Sequence, residues 1–264
     1  GMNKLKPLPE EWSGLLNNEQ KEAIENINGP LLIIAGAGSG KTRVLTYRYA
    51  HLIKTYGINF ENVLAITFTN KAANEMKDRI SDLLNLELSP KWISTFHSLC
   101  VKMLRIHGHL IGFNNNFTIY DQSDSTKLVR NCMRDSDIDT KQYSPKRIQA
   151  HISSLKNQRI LPGEAVEFAQ SFFDVKVAEI YSSYQKKLML ANSMDFDDLL
   201  IKAVELLETS DKSLNYWSSK FQYIMIDEYQ DTNMVQYRLV ELLASKHKNI
   251  CVVGDSDQSI YAFR

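Results

Sequence analysis

Leu31-Leu32-Ile33-Ile34-Ala35-Gly36-Ala37-Gly38-Ser39-Gly40-Lys41-Thr42 sets a short apolar run directly against a glycine-rich loop ending in Gly40-Lys41-Thr42. The run reads as a buried strand, and the spacing of Val44, Leu45, Tyr47, Arg48, Leu52 and Ile53 reads as a helix behind the loop. Strand, glycine loop and helix in that order predict a phosphate-binding loop. A polyphosphate packs several negative charges into a small volume, so its site needs converging backbone N–H groups and no obstructing side chains. Gly36, Gly38 and Gly40 leave the backbone bare. A helix starting near Lys41 adds its unpaired N–H groups and the positive end of its dipole. Lys41 then reaches the β- and γ-phosphates, and Thr42 holds Mg2+ through its hydroxyl. Ala35 stands where the usual pattern has its first glycine, and a small residue still permits the turn. The alternative is a glycine-rich turn that binds nothing, and the flanking strand and helix weigh against it.

Working outward, 264 residues at 44% hydrophobic content suffice for one large domain or two smaller ones. Thirty-one basic residues balance 31 acidic ones, so no global field draws in nucleic acid or an anionic membrane, and any such site is a local patch. Cys100, Cys132 and Cys251 lie far apart without metal-ligand spacing and read as buried thiols of a reducing cytoplasm. No apolar run approaches the length of a bilayer span, and Met2 to Pro7 lack the apolar stretch of a signal peptide. Gly1 before Met2 reads as a tag-cleavage scar.

Five runs carry strand signals: Leu31 to Ala35, Val63 to Phe68, Lys91 to Phe96, Tyr223 to Ile226 and Ile250 to Val253. Each is apolar on both faces, as in parallel strands covered by helices on both sides. Helical patterns such as Asn70 to Ile80 and Tyr237 to Ala244 alternate with them, which predicts a doubly wound α/β domain. The long interval between the third and fourth runs reads as helices, over Ser98 to Ile106, Ser123 to Met133, Pro145 to Leu155, Gly163 to Phe173, Val175 to Met189 and Phe196 to Leu207. A crossover rarely needs such length, so a second unit is inserted there. The division expected is residues 1–97 with 216–264, interrupted by an all-α insert over 98–215.

Asp227 and Glu228 follow the fourth run, at the carboxyl edge where open parallel sheets bind ligands. Asp227 is suited to hold Mg2+ opposite Thr42, and Glu228 to orient and deprotonate the water that attacks the γ-phosphate. Gln258, in the loop after the fifth run, offers an amide that senses that phosphate; a solvated loop glutamine is the alternative. Lys141, Lys146, Arg147, Lys156 and Arg159 form a basic stretch without an intervening acid. It reads first as a solvated helix face and second as a surface for nucleic-acid phosphates. Asp195, Asp197 and Asp198 read as a helix start.

Several segments, in order, resemble the motifs of the UvrD/PcrA/Rep-type DNA helicases of superfamily one. They are Leu16 to Gln20, Ala35 to Thr42, Thr67 to Ala73, Ser94 to His97, Asp195 to Leu200, Asp227 to Thr232, and Val253 to Tyr261. The resemblance implies a RecA-like ATP-binding domain with a helical insert, using ATP and Mg2+ to move along single-stranded DNA, 3′-to-5′, and to open duplexes in repair or replication. ATP contacts would come from Gln20, at the adenine edge, from Ala35, Gly36, Ala37, Gly38, Ser39, Gly40, Lys41 and Thr42, and from Arg43 near the base. Lys41, Asp227, Glu228 and Gln258 would form the catalytic set. Phe68, Asn70, Thr95, His97, Tyr261, Phe263 and Arg264 match positions that line a single-stranded DNA track, with Phe263 where relatives often carry tryptophan. Base-on-aromatic stacking contributes about 1–3 kcal/mol per base without reading sequence, as a translocating motor requires. Phe68 and Phe96, at strand ends, have a core role as the alternative.

In the family a second RecA-like domain supplies arginines that close on the γ-phosphate, and such an arginine is worth about 10³–10⁵ in rate. It lies outside these residues, so the 264 residues alone are expected to be a monomer with little ATPase activity. Single/double-strand junctions are the expected partner. Two other readings stay open: the motor part of a helicase–nuclease of the AddA or RecB type, and a non-catalytic nucleotide- or DNA-binding module.

Overall fold

The computed structural model describes residues 3–34 and 40–255. Its strands are β1 (Leu31–Ile34), β2 (Val63–Thr67), β3 (Ile93–Thr95), β4 (Thr118–Tyr120), β5 (Ser193–Asp195), β6 (Tyr223–Ile226) and β7 (Ile250–Gly254). Its helices are α1 (Glu10–Ser13), α2 (Asn18–Glu25), α3 (Lys41–Tyr56), α4 (Asn70–Leu84), α5 (Phe96–His107), α6 (Gln122–Asp135), α7 (Pro145–Asn157), α8 (Phe172–Leu190), α9 (Phe196–Thr209), α10 (Asp211–Lys220) and α11 (Met234–Leu243). They divide between two compact units, one of Gly1–Leu99, Asp211–Thr232 and Val240–Arg264, the other of Cys100–Ser210 and Asn233–Leu239.

In the first unit a five-stranded parallel sheet runs in the order β1-β7-β6-β2-β3. Every strand of β2, β6 and β7 is buried along its length, which explains why those runs carry no polar alternation. One sheet face, formed by Val63, Ala65, Tyr223, Met225, Cys251 and Val253, packs on Leu45, Tyr49 and Leu52 of α3 and on Met76 and Ile80 of α4. β1 departs from the expected coverage: Leu32 is 42% and Ile34 51% exposed, so this edge strand buries one face only. Because all five strands run the same way, Ile34, Thr67, Thr95, Ile226 and Gly254 end along one edge.

The second unit is built on α6 to α9 around Val129, Met133, Ile148, Ile152, Ile180, Tyr184 and Leu188. The helix expected over Gly163 to Phe173 is instead a short 3₁₀ turn at Ala165–Phe168, and α8 begins afresh where the Ser171 hydroxyl accepts from the Asp174 N–H. Two three-residue strands, β4 and β5, pair in parallel among these helices. β5 leads into α9 through a capping box in which Asp195 and Asp198 exchange side chain-to-backbone bonds, so the expected helix start is present.

The same two aspartates hold the Lys156 ammonium, at 2.7 Å from Asp195 and 3.0 Å from Asp198. Lys156 is 2% exposed, so it does not belong to a solvated basic face. Arg159 pairs with Glu208, and the Arg147 guanidinium lies 4.2 Å from the centroid of the Phe173 ring. Lys141 and Lys146 are the exposed remainder of that stretch. Sequence order could not separate these fates, because helical periodicity turns residues of one sign toward different surroundings.

Candidate functional site

Gly40 caps α3 with φ +76° and ψ 29°, a left-handed conformation that glycine adopts without penalty, and the helix begins at Lys41. Ala35, Gly36, Ala37, Gly38 and Ser39 lie outside the described residues, as do Gln258, Tyr261, Phe263 and Arg264. What the structure does place around the end of the loop is a set of acids. The Lys41 ammonium is 2.6 Å from Glu228 Oε1 and 2.6 Å from Asp255 Oδ1. Partial burial alone would lower its pKa, and the hydrogen bonds and charges of Asp255 and Glu228 outweigh that and raise it. Thr42 donates its hydroxyl to Asp227 Oδ2 at 3.3 Å.

Asp227 is 5% exposed at the carboxyl end of β6, and burial pushes its carboxyl above the usual range. The hydroxyl of Thr42 and the carboxylate of Asp227 are hard oxygen donors converging from two elements, a pair that would suit Mg2+. Among the described residues no cluster of three or more histidine, cysteine or acidic side chains could hold a metal ion. Glu228 adopts φ 54° and ψ 41°, a left-handed conformation that a non-glycine residue holds at a cost of about 1–2 kcal/mol. Such strain concentrates at functional sites, and from this conformation the Glu228 carboxylate meets Lys41.

Gln20 and Arg43 are placed together. The Asn17 N–H donates to Gln20 Oε1 at 2.9 Å while Asn17 Oδ1 accepts from the Gln20 N–H, a capping box that fixes the carboxamide. A Cβ built on Gly40 would lie 3.4 Å from Gln20 Nε2, so the amide stands beside the end of the loop. Arg43 donates to the Leu15 carbonyl at 2.8 Å and lies 5.4 Å from the Tyr47 ring centroid. Arg43 and Tyr47 open, with Thr46, Arg79, Asp82 and Leu83, onto a cavity of about 490 Å3.

Farther along the same edge, Phe68 follows β2 half-buried, its ring edge-on to Phe96 at 5.3 Å. Phe96 is 2% exposed and belongs to the core, while Phe68 keeps an accessible face. Asn70 opens α4 exposed, after Thr69 caps it through the Ala72 N–H. The Thr95 hydroxyl accepts from the Ser98 N–H and donates to its hydroxyl, starting α5. His97 is half-buried, and desolvation lowers its pKa, favouring the neutral ring.

Gln230 and Asp255 carry contacts in this site that the sequence reading left unassigned. Gln230 lies inside the quoted segment Asp227 to Thr232, and its distance from Asp227-Glu228 was the available signal.

The parallel strand order, the glycine-capped helix and the acids facing its lysine make the sheet unit a RecA-like P-loop domain. Comparison with known proteins narrows the class: the model of the UvrD/REP helicase N-terminal domain matches residues 16–264, and the chain belongs to that family. Proteins named ATP-dependent DNA helicase PcrA from Staphylococcus aureus and Staphylococcus epidermidis are 49% identical to it over 249 residues, which is 94% of this chain and 34% of each relative. The chain thus spans about a third of the length of the curated relatives it matches.

Proposed function

We propose that this chain is the nucleotide-gripping part of an ATP-driven motor that moves 3′-to-5′ along single-stranded DNA and opens duplexes at single/double-strand junctions, in cytoplasmic repair or replication. The observation that carries the reading is the single carboxyl edge of the sheet, shared by Lys41, Thr42, Asp227 and Glu228 on one side and Phe68, Thr95 and His97 on the other. β6 and β2 are neighbours in the sheet, and paired strands lie about 5 Å apart, so nucleotide chemistry and a base-stacking surface are separated by little more than a strand.

In this reading Gln20 meets the adenine edge, with Arg43 beside the base. Lys41 and the amides of the loop hold the phosphates, and Thr42 and Asp227 hold Mg2+. The metal, when bound, neutralises charge on the phosphate oxygens. Glu228 orients a water, takes its proton as the oxygen attacks the γ-phosphorus, and ADP leaves as phosphate is released. Gln258 senses the γ-phosphate. Phe68, Asn70, Thr95 and His97, with Tyr261, Phe263 and Arg264, line the DNA track, where stacking tolerates any base.

Lys41→Ala in the full-length protein tests the reading. DNA-stimulated ATP turnover and unwinding should both be lost. Turnover within about threefold of the wild type would refute a lysine-dependent phosphoryl site, which is typically worth orders of magnitude in rate.

A further inference from the structure

Tyr229–Asp231 form one 3₁₀ turn after Glu228, anchored by the Tyr229 side chain, which is 2% exposed. The anchor turns the Gln230 carboxamide toward the acids around Lys41. Gln230 Nε2 donates to Glu228 Oε2 at 2.5 Å and lies 3.4 Å from Asp255 Oδ2, while Gln230 Oε1 accepts from the Asp255 N–H at 3.2 Å. The opposite oxygens of the same two carboxylates, Glu228 Oε1 and Asp255 Oδ1, take the lysine. The result is a closed ring, Lys41 to Glu228 to Gln230 to Asp255 and back.

Only a primary amide completes this ring. A carboxylate at position 230 would repel Glu228 and Asp255, and an ammonium could not accept the Asp255 N–H. The two halves of the ring also respond differently to a polyphosphate. Phosphate oxygens compete with Glu228 and Asp255 for the Lys41 ammonium, whereas the amide grips the carboxylate oxygens that face away from the lysine.

We propose that Gln230 is a positioning residue for ATP hydrolysis: it holds Glu228 aligned on the attacking water, and ties it to the end of β7 through Asp255, once Lys41 turns to phosphate. This rests on the reading of Glu228 as the group that accepts the proton of the attacking water. Misplacing such a group lowers the rate of chemistry while leaving phosphate binding with Lys41.

The test compares wild-type full-length protein with Gln230→Met, which keeps the length of the side chain and removes its polar contacts. The expected result is a fall in kcat of about tenfold or more for DNA-stimulated ATP hydrolysis, with KM and the Kd of a fluorescent ADP analogue within about threefold of wild type. Gln230→Ala should show the same split, and retained ADP binding certifies the fold of either variant. In a Glu228→Gln background, Gln230→Met should cause no further loss, because its effect passes through Glu228. Wild-type kcat in Gln230→Met, a kcat loss matched by lost ADP binding, or an undiminished loss in the Glu228→Gln background would each overturn the proposal. A wild-type protein without DNA-stimulated turnover would instead sink the motor reading itself.

Discussion

Replacing Lys156 by methionine should leave two buried carboxylates facing an apolar chain. Lys156 is 2% exposed, and burial alone would lower the pKa of its ammonium; Asp198 and Asp195 outweigh that and raise it. Asp195 also accepts from the Tyr184 hydroxyl at 2.8 Å, and the ammonium holds its carboxyl below the ordinary range against the opposing effect of burial. Asp198 is pushed up by burial and by the charge of Asp195. Breaking a buried pair by removing one partner costs about 3–5 kcal/mol. Asp198 can relieve part of this by taking a proton, which puts the expected loss at the lower end, about 3 kcal/mol. Urea unfolding followed by far-UV circular dichroism measures it. Trp12, Trp92 and Trp217 all lie in the sheet unit, so tryptophan fluorescence reports that unit separately and should shift less. Adding Asp195→Asn and Asp198→Asn to Lys156→Met should recover much of the loss, since no unpaired charge then remains buried. A loss below about 1 kcal/mol for the single variant, or a triple variant as unstable as the single one, would refute the reasoning.

Gly40→Ala should cost about 1–2 kcal/mol, because φ +76° is a left-handed conformation that a Cβ penalises; an unchanged melting temperature would contradict this. Asp197 has its carboxyl raised to about 6 by burial and then by the charge of Asp195, against 3.8 for the free group. The fold therefore prefers the protonated acid, and its contribution to stability is present below about pH 4 and lost as pH rises toward 6 and beyond. Asp197→Asn should flatten the stability profile, by about 1 kcal/mol between pH 5 and 8, and parallel wild-type and variant curves would exclude the assignment.

How much of this was legible in advance depended on the distance over which each feature is decided. β2, β6 and β7 are apolar on both faces because both are covered, and that composition survives in a bare string. The same reasoning failed for Leu32 and Ile34, which look identical to buried strand residues but lie on the uncovered face of β1, whereas β3 at the opposite edge is buried throughout. Which strand faces are covered is a property of tertiary packing. Asp195 was readable as a helix start from its neighbours, whereas the ammonium it holds belongs to a residue 39 positions away.

The candidate site divides in the same way. Gly40-Lys41-Thr42 and Asp227-Glu228 were legible because each chemistry is local: bare backbone before a helix, and acids at the end of an apolar strand. That Thr42 bonds Asp227, or that one lysine lies 2.6 Å from each of two acids, depended on parallel pairing of β1 with β7 and of β7 with β6. Gln230 shows the division most sharply. Its place two residues beyond Glu228 is written in the chain, but its value lies in a ring closed through Asp255, brought near by the sheet. Residue type and local spacing therefore determined which chemistry this protein carries. Strand order alone decided which carboxylates its lysine meets, because a hydrogen bond needs atoms within about 3 Å, a distance that sequence separation does not encode.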